Sequence, residues 1–310
     1  MSQTHMSQMR AIVFEEFGGP EVLRLVRAEV PQPGPGQVRV RVRAAGVNPL
    51  DYKIRYGWME HQYPTTLPRI PGLEFAGIVD EVGEGVTDVA AGDEVLGWTT
   101  TGAYAEYALA ESFVPKPAGV GWADAAALPV ATETAQRVLD LLGVRSGETL
   151  LLHGAAGAVG AAAVQLARET GVRVVGTASP ANHDYLGKLG ATPVAYGEGL
   201  VERVRTAAPQ GVDAVFDAAG KGALPASVEL RGGTTDRIIT IADPDAAAHG
   251  VPFSAGGTQR PEIALAGHAR LAADGTIRIP VVEAFPLEEA AKAQALSETG
   301  HVRGKLVIIP

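Results

Sequence analysis

The sequence predicts an α/β protein of two domains: a compact, barrel-like β domain and a doubly wound parallel sheet. Three observations lead there. Residues 10–118 carry short strand patterns broken by Gly and Pro, whereas from about Gly121 strand patterns alternate with helical ones. At 310 residues the chain is also longer than one ordinary hydrophobic core fills. The change of texture divides the chain into residues 1–126 with 256–310 for the β domain, and 127–255 for the parallel sheet.

In chain order, RAIVFEEFG (10–18) and QVRVRVRAAGV (37–47) are strand patterns, the second alternating Val with Arg. Arg39, Arg41 and Arg43 therefore read as the solvated face of a strand. Between these stretches PQPGPGQ is a turn-rich connector that cannot be helical. EFAGIVDEVGEGVTDVAAGDEVLGW (74–98) reads as short strands punctuated by Gly, which suits a closed β domain. WADAAALPVATETAQRVLDLL (122–142) is helical, with Pro129 expected to start or kink a helix. Strand ETLLLHG, helix AVGAAAVQLARETG, strand RVVGTAS and helix NHDYLGKLG follow. Helix GLVERVRTAA and strands VDAVFDAAG and RIITIAD continue the alternation. The tail, from Phe285 on, is an amphipathic helix and a strand suited to completing the β domain.

A formal charge of −9 opposes a nucleic-acid partner, since phosphate binding needs a basic surface. It fits a cytoplasmic protein. Without cysteine there is no disulfide and no thiolate metal site. The start, MSQTHMSQMR, lacks the sections of a signal peptide, and its repeated Met-Ser-Gln is set aside from fold reasoning. The one stretch approaching membrane length, TLLLHGAAGAVGAAAVQLARETG (149–171), contains His153, Gln165 and three glycines. That interruption, followed by Arg168 and Glu169, argues against a span and leaves no membrane partner.

The same stretch spaces Gly154, Gly157 and Gly160 as G-x-x-G-x-x-G, between an apolar strand and a helix beginning near Ala158. In that setting Gly157 lets a backbone approach a pyrophosphate and Gly160 lets the helix pack closely. The first-turn N–H groups of Ala158, Val159 and Gly160 supply donors and partial positive charge. The plainer reading is a strand–turn–helix crossover with packing glycines. A site selective for NAD places an acid at the end of the second strand, to hold the ribose 2′-OH. Here that strand ends at Ser179 and the next carboxylate is Asp184. A 2′-phosphate is not repelled, and Ser179, Asn182 and His183 can donate to it, so NADPH is the expected cofactor. His183 is otherwise a solvated first-turn residue.

Seven stretches in order carry a family resemblance: AAGVNPLDYKIRYG (44–57), PGLEFAGIVDEVGEGV (71–86), GDEVLG (92–97), GAYAEYALA (102–110), AAALPVATETA (125–135), HGAAGAVG (153–160) and the tail FPLEEAAKA…GHVRGKLVIIP. From about Met9 to Pro310 the chain resembles the medium-chain dehydrogenase/reductase superfamily, in its zinc-independent quinone oxidoreductase branch. The resemblance implies a GroES-like β-barrel domain closed by the C-terminal segment, with an inserted Rossmann domain. It also implies NADPH, a quinone or α,β-unsaturated carbonyl substrate entering between the domains, and a homodimer. The same scaffold supports an enoyl reductase of a biosynthetic pathway, or a non-catalytic, crystallin-like NADPH-binding protein.

Zinc enzymes of the superfamily use Cys, His and Cys, and those positions fall here on Asn48, on Leu73 and close to Val130. The four-cysteine lobe is missing as well, so no metal is expected and hydride transfer is direct. Asn48 stands where relatives place a polar residue facing the nicotinamide; alone, it is a turn Asn before Pro49. Tyr52 and Lys53 are the candidate proton donors, with solvent a third, because the chain reads Asp-Tyr-Lys where many relatives read Asp-x-Tyr. Asp51 is expected to cap or to pair with Arg55. Thr134 falls where relatives contact the nicotinamide end, or simply packs. Ala158 replaces a glycine, which a negative φ tolerates. Tyr196, matched to a tyrosine near the adenosine phosphate, and Ile241 complete the cofactor candidates.

Overall fold

The computed structural model describes residues 7–257 and 261–310; residues 1–6 of the start set aside above lie outside them, whereas its last three, Gln8–Arg10, open a strand. In chain order the elements are β1 (Gln8–Val13), β2 (Arg24–Glu29), β3 (Val38–Val47), α1 (Pro49–Arg55), β4 (Glu74–Val82), β5 (Glu94–Trp98), β6 (Tyr107–Ala110) and β7 (Ser112–Pro115). There follow α2 (Trp122–Ala126), α3 (Pro129–Leu142), β8 (Thr149–His153), α4 (Ala158–Glu169), β9 (Arg173–Ala178), α5 (His183–Leu189), β10 (Thr192–Ala195) and α6 (Leu200–Ala207). The chain closes with β11 (Ala214–Asp217), α7 (Leu224–Leu230), β12 (Ile238–Thr240), α8 (Pro261–Ala273), β13 (Val281–Pro286), α9 (Ala290–Glu298) and β14 (Lys305–Ile309). They fall into two compact units. The first is Met1–Val130 with Arg260–Asp274 and Pro280–Pro310; the second is Ala131–Gln259 with Gly275–Ile279.

The first unit is built on a seven-stranded sheet in the order β13-β14-β3-β4-β5-β7, with β6 also paired to β3. Val38, Val40 and Val42 are buried while Arg41 and Arg43 are exposed, the two-residue alternation the sequence carries. Arg39 pairs with Asp80 at 2.5 Å and Glu81 at 2.7 Å on that solvated face. The C-terminal strand β14 joins the sheet beside β3, antiparallel, with Leu306 opposite Val47. Phe14, Phe75, Tyr104, Phe285 and Leu306 fill the core around it.

The second unit is a five-stranded parallel sheet in the order β10-β9-β8-β11-β12. Strand order runs outward in both directions from β8, so the topological switch lies between β8 and β11. The central strands do not alternate. All five residues of β8 and all four of β11 are buried, as expected for strands covered on both faces. The stretch weighed as a membrane segment divides into five-residue β8, a turn and twelve-residue α4. Among the described residues no helix is long and apolar enough to cross a membrane. Pro129 starts α3, as its fixed φ and missing donor favour.

Helix α1 is held by its own third residue. Asp51 accepts the Asn48 N–H at 2.8 Å and the Tyr104 hydroxyl at 3.0 Å through the same oxygen. Its other oxygen is buried with no hydrogen-bond partner. Asp51 thus caps, while Arg55 pairs with Glu298 on α9 instead. Burial pushes the Asp51 carboxyl up to about 7, against the lowering effect of its two donors and of Lys305. The folded chain therefore holds a proton that the unfolded chain releases above pH ~4. The stability this gives is full below the unfolded value and is lost as pH rises through about 7. One proton limits the slope to about 1.4 kcal/mol per pH unit. Asp51→Asn retains an acceptor oxygen and cannot ionise. Thermal unfolding at pH of about 5 and about 8 should show the wild type losing stability that the variant keeps; parallel pH profiles would contradict the burial argument.

Candidate functional site

In the second unit the glycine stretch forms the strand–turn–helix that its spacing implies. Strand β8 ends at His153, and Gly154 turns the chain with φ +73°, a left-handed conformation that favours glycine. The Gly157 N–H donates to the Gly154 carbonyl at 3.1 Å, and Ala155 N–H to the Thr177 carbonyl of β9 at 3.2 Å. Gly157 caps α4 in an extended conformation and offers no side-chain acceptor. The first-turn N–H groups of Ala158, Val159 and Gly160 accordingly have no acceptor within the helix. Ala158 is accommodated: among the described residues Arg237 is the only non-glycine with positive φ.

The glycines differ in what holds them. At Gly160 a Cβ would lie 2.6 Å from Ala155 Cα, so close packing of α4 on the turn excludes any side chain. At Gly176, in β9, a Cβ would lie 2.8 Å from the Ala155 Cβ on the turn's other side. Ala155 is completely buried between them. Gly176 escaped the sequence reading, since nothing local distinguishes a packing glycine inside a strand. Gly157 is the opposite case. A Cβ there meets only the Gly154 carbonyl, at 3.6 Å, and its φ of −73° suits any residue. The protein's own packing leaves room at Gly157, as in a cradle whose occupant approaches the backbone.

Around this turn the other candidates lie after neighbouring parallel strands. Ser179 follows β9 and accepts from Asn182 Nδ2 at 3.2 Å; His183 begins α5, its Nε2 3.4 Å from the Ala178 carbonyl. The first acid is Asp184, in the first turn of α5. On the other side of β8, buried Asp217 ends β11 and organises two loops. Its Oδ1 accepts from Ala219 and Gly220 N–H at 2.9 and 3.1 Å, and its Oδ2 from the Thr240 hydroxyl at 2.8 Å. Thr240 in turn accepts from Ala242 and Asp243 N–H, and Ile241 N–H donates to the Asp217 carbonyl at 3.0 Å. This fixes the loop that carries Ile241. Asp217 and Thr240 were invisible as a pair in the sequence. Tyr196, beyond β10, is 57% exposed, and Thr134 is buried within α3. Beneath the turn His153 bridges Thr177 (3.2 Å) and Ser227 (3.0 Å), and burial lowers its pKa to about 4, so it is neutral.

In the first unit, Asn48, Tyr52 and Lys53 share one short segment. Asp51, Ile54 and Arg55 form the buried face of α1, leaving Tyr52 and Lys53 half-buried beside it. Burial raises the Tyr52 phenol and lowers the Lys53 ammonium, so each tends toward its neutral form. Tyr52 meets Trp58 edge-on at 6.3 Å. Asn48 is buried, and its amide is engaged on both atoms: Nδ2 donates to Glu74 Oε1 at 2.8 Å, and Oδ1 accepts from Lys305 Nζ at 2.7 Å. Lys305 also reaches Glu74 Oε1 at 2.5 Å, and the Val130 N–H donates to Glu74 Oε2 at 2.7 Å. Two of the positions matched to metal ligands, Asn48 and Val130, are therefore joined through the Glu74 carboxylate, with the Lys305 ammonium against it. Among the described residues no three His, Asp or Glu are grouped to hold a metal ion.

Comparison with known proteins fits this architecture. Residues 34–118 match the alcohol dehydrogenase GroES-like domain, and residues 189–308 a zinc-binding dehydrogenase domain. The chain is 41% identical over 180 residues to a quinone oxidoreductase of Rattus norvegicus, an alignment covering 56% of this chain and 54% of that protein. It spans about half the length of the curated relatives it matches. Among solved structures it resembles the quinone oxidoreductase of Coxiella burnetii, at 33% identity and a TM-score of 0.87, covering 98% of this chain and 100% of that one. It also resembles a mycobacterial protein solved in complex with NADPH, at 31% identity and a TM-score of 0.83, over 97% and 100% of the two chains. A GroES-like sheet, a parallel sheet with a glycine turn at its switch point and a relative matched along its whole length agree: the chain belongs to the medium-chain dehydrogenase/reductase superfamily, in its quinone oxidoreductase-like branch.

Proposed function

We propose that the protein is an NADPH-dependent, zinc-independent oxidoreductase that reduces quinones or α,β-unsaturated carbonyls. The observation that carries the reading is the room at Gly157, above an uncapped helix start and beside a second strand ending without an acid. Residues 127–255 are assigned to the cofactor and the remainder to the substrate. The N–H groups of Ala158, Val159 and Gly160 hold the pyrophosphate. Ser179, with His183, receives the 2′-phosphate, where an acid would repel it.

Bound NADPH supplies the hydride. The amide of Asn48 donates to the substrate oxygen, or to the nicotinamide carboxamide, and so favours the negative charge that develops as hydride arrives. Tyr52, Lys53 or solvent returns the proton. The reading of no zinc rests on donor chemistry: an amide already bonded twice, Leu73 and a backbone N–H make a poor site for a borderline-soft cation.

Gly157→Val is expected to weaken NADPH binding by at least roughly 100-fold, about 2.7 kcal/mol. Its melting temperature should stay within about 3 °C of wild type, because the side chain meets little of the protein itself. Wild-type affinity in a folded Gly157→Val protein would dismiss the placement of the pyrophosphate. In fluorescence titrations NADPH should bind more tightly than NADH. Ser179→Asp should reverse that order, costing NADPH on the order of 10-fold to 100-fold through charge repulsion. Tighter binding of NADH by the wild type would overturn the assignment.

A further inference from the structure

The buried cluster of Asn48, Glu74 and Lys305 contains two residues that the proposed function leaves without a role. Its origin lies in strand order. Strands β4 and β14 both run antiparallel to β3 and flank it, so both begin where β3 ends. Glu74 is the first residue of β4, Lys305 the first of β14, and Asn48 the first residue after β3. Three positions far apart in sequence are thereby set side by side, Lys305 and Glu74 being 231 residues apart. Exposure is 5% for Asn48, 0% for Glu74 and 2% for Lys305. Gly46 leaves the space for the carboxylate, since a Cβ there would stand 2.6 Å from Glu74 Cδ.

An asparagine amide is nearly symmetric in shape, so packing alone does not choose which end carries the oxygen. Here charge chooses. The oxygen meets the ammonium and the NH₂ meets the carboxylate. Turning the amide over would set oxygen against carboxylate and NH₂ against ammonium, two repulsive contacts in a buried site. Nδ2 has two hydrogens, and Glu74 takes one of them. We propose that Glu74 and Lys305 are positioning residues: their ion pair locks the Asn48 amide with its NH₂ edge presented, keeping the second N–H available as a donor. This rests on the reading of Asn48 as the donor to substrate or nicotinamide.

The test is a double-variant comparison on the full chain. Lys305→Met alone strands a buried carboxylate and is expected to fold poorly, so it is combined with Glu74→Gln, which removes both charges together. In that double variant no charge holds the Asn48 amide in its wild-type orientation. Its NADPH affinity should stay within about 3-fold of wild type, while kcat for benzoquinone or an enone falls roughly 10-fold or more. Introduced into Asn48→Ala, the same pair of changes should lower kcat by less than about 2-fold further, because there is no amide left to orient. A purely structural role predicts equal losses with and without Asn48, and that result would overturn the proposal. Wild-type kcat in the folded double variant would also overturn it, with the donor reading of Asn48 intact if Asn48→Ala is slow. Full activity in Asn48→Ala would remove the donor reading and the positioning role with it. NADPH binding without consumption by the wild type would instead refute the proposed reaction.

Discussion

The carboxylate of Glu74 is the constraint on which the first unit turns. A buried charge without partners is costly enough that the fold must bring partners to it. It receives an ammonium from the last strand, an amide from the residue after β3 and a backbone N–H from Val130. Each comes from a different part of the chain. Such a pair adds little net stability over an apolar replacement, but its loss on one side alone is severe. Its effect is to reject alternatives: a one-residue slip of β14 or β4 against β3 would turn Lys305 or Glu74 to the other face and separate them. Strand register and the placement of Asn48 are thus tied to one interaction.

The second unit solves a different problem, the close approach of a helix to a sheet at the point where a ligand would sit. Ala155 fills the space between β9 and α4, and Gly176 and Gly160 yield to it from either side. The turn is rigid because it is crowded, except at Gly157. On the opposite side of β8, Asp217 and Thr240 satisfy the backbone donors of two loops that have no regular structure of their own. The loops at the C-terminal edge of the sheet are therefore fixed by the protein's own hydrogen bonds.

Much of this was legible in the sequence where the signal is local. The Val–Arg alternation, the start of α3 at Pro129, the start of α4 at Ala158 and the capping by Asp51 all depend on neighbours within a few residues. The missing acid after β9 is equally local. What stayed hidden depends on distant partners. Glu74 in GLEF and Lys305 in RGKLV look like ordinary surface charges until the strand order puts them together. Arg55 could be weighed only against Asp51 nearby, whereas its partner, Glu298, lies 243 residues on. Gly176 has no signature, because a glycine needed for packing and one that merely weakens a strand read alike.

The proposed reaction is hydride transfer to an activated carbonyl without a metal. It is tested most directly with protein dialysed against a chelator, its metal content checked by elemental mass spectrometry, then mixed with an α,β-unsaturated ketone and NADPH carrying deuterium at both C4 positions. Metal-free hydride transfer places one deuterium on the β-carbon of the saturated product, formed at the rate of untreated protein. Product without deuterium, or turnover that returns only when zinc is added, would contradict it.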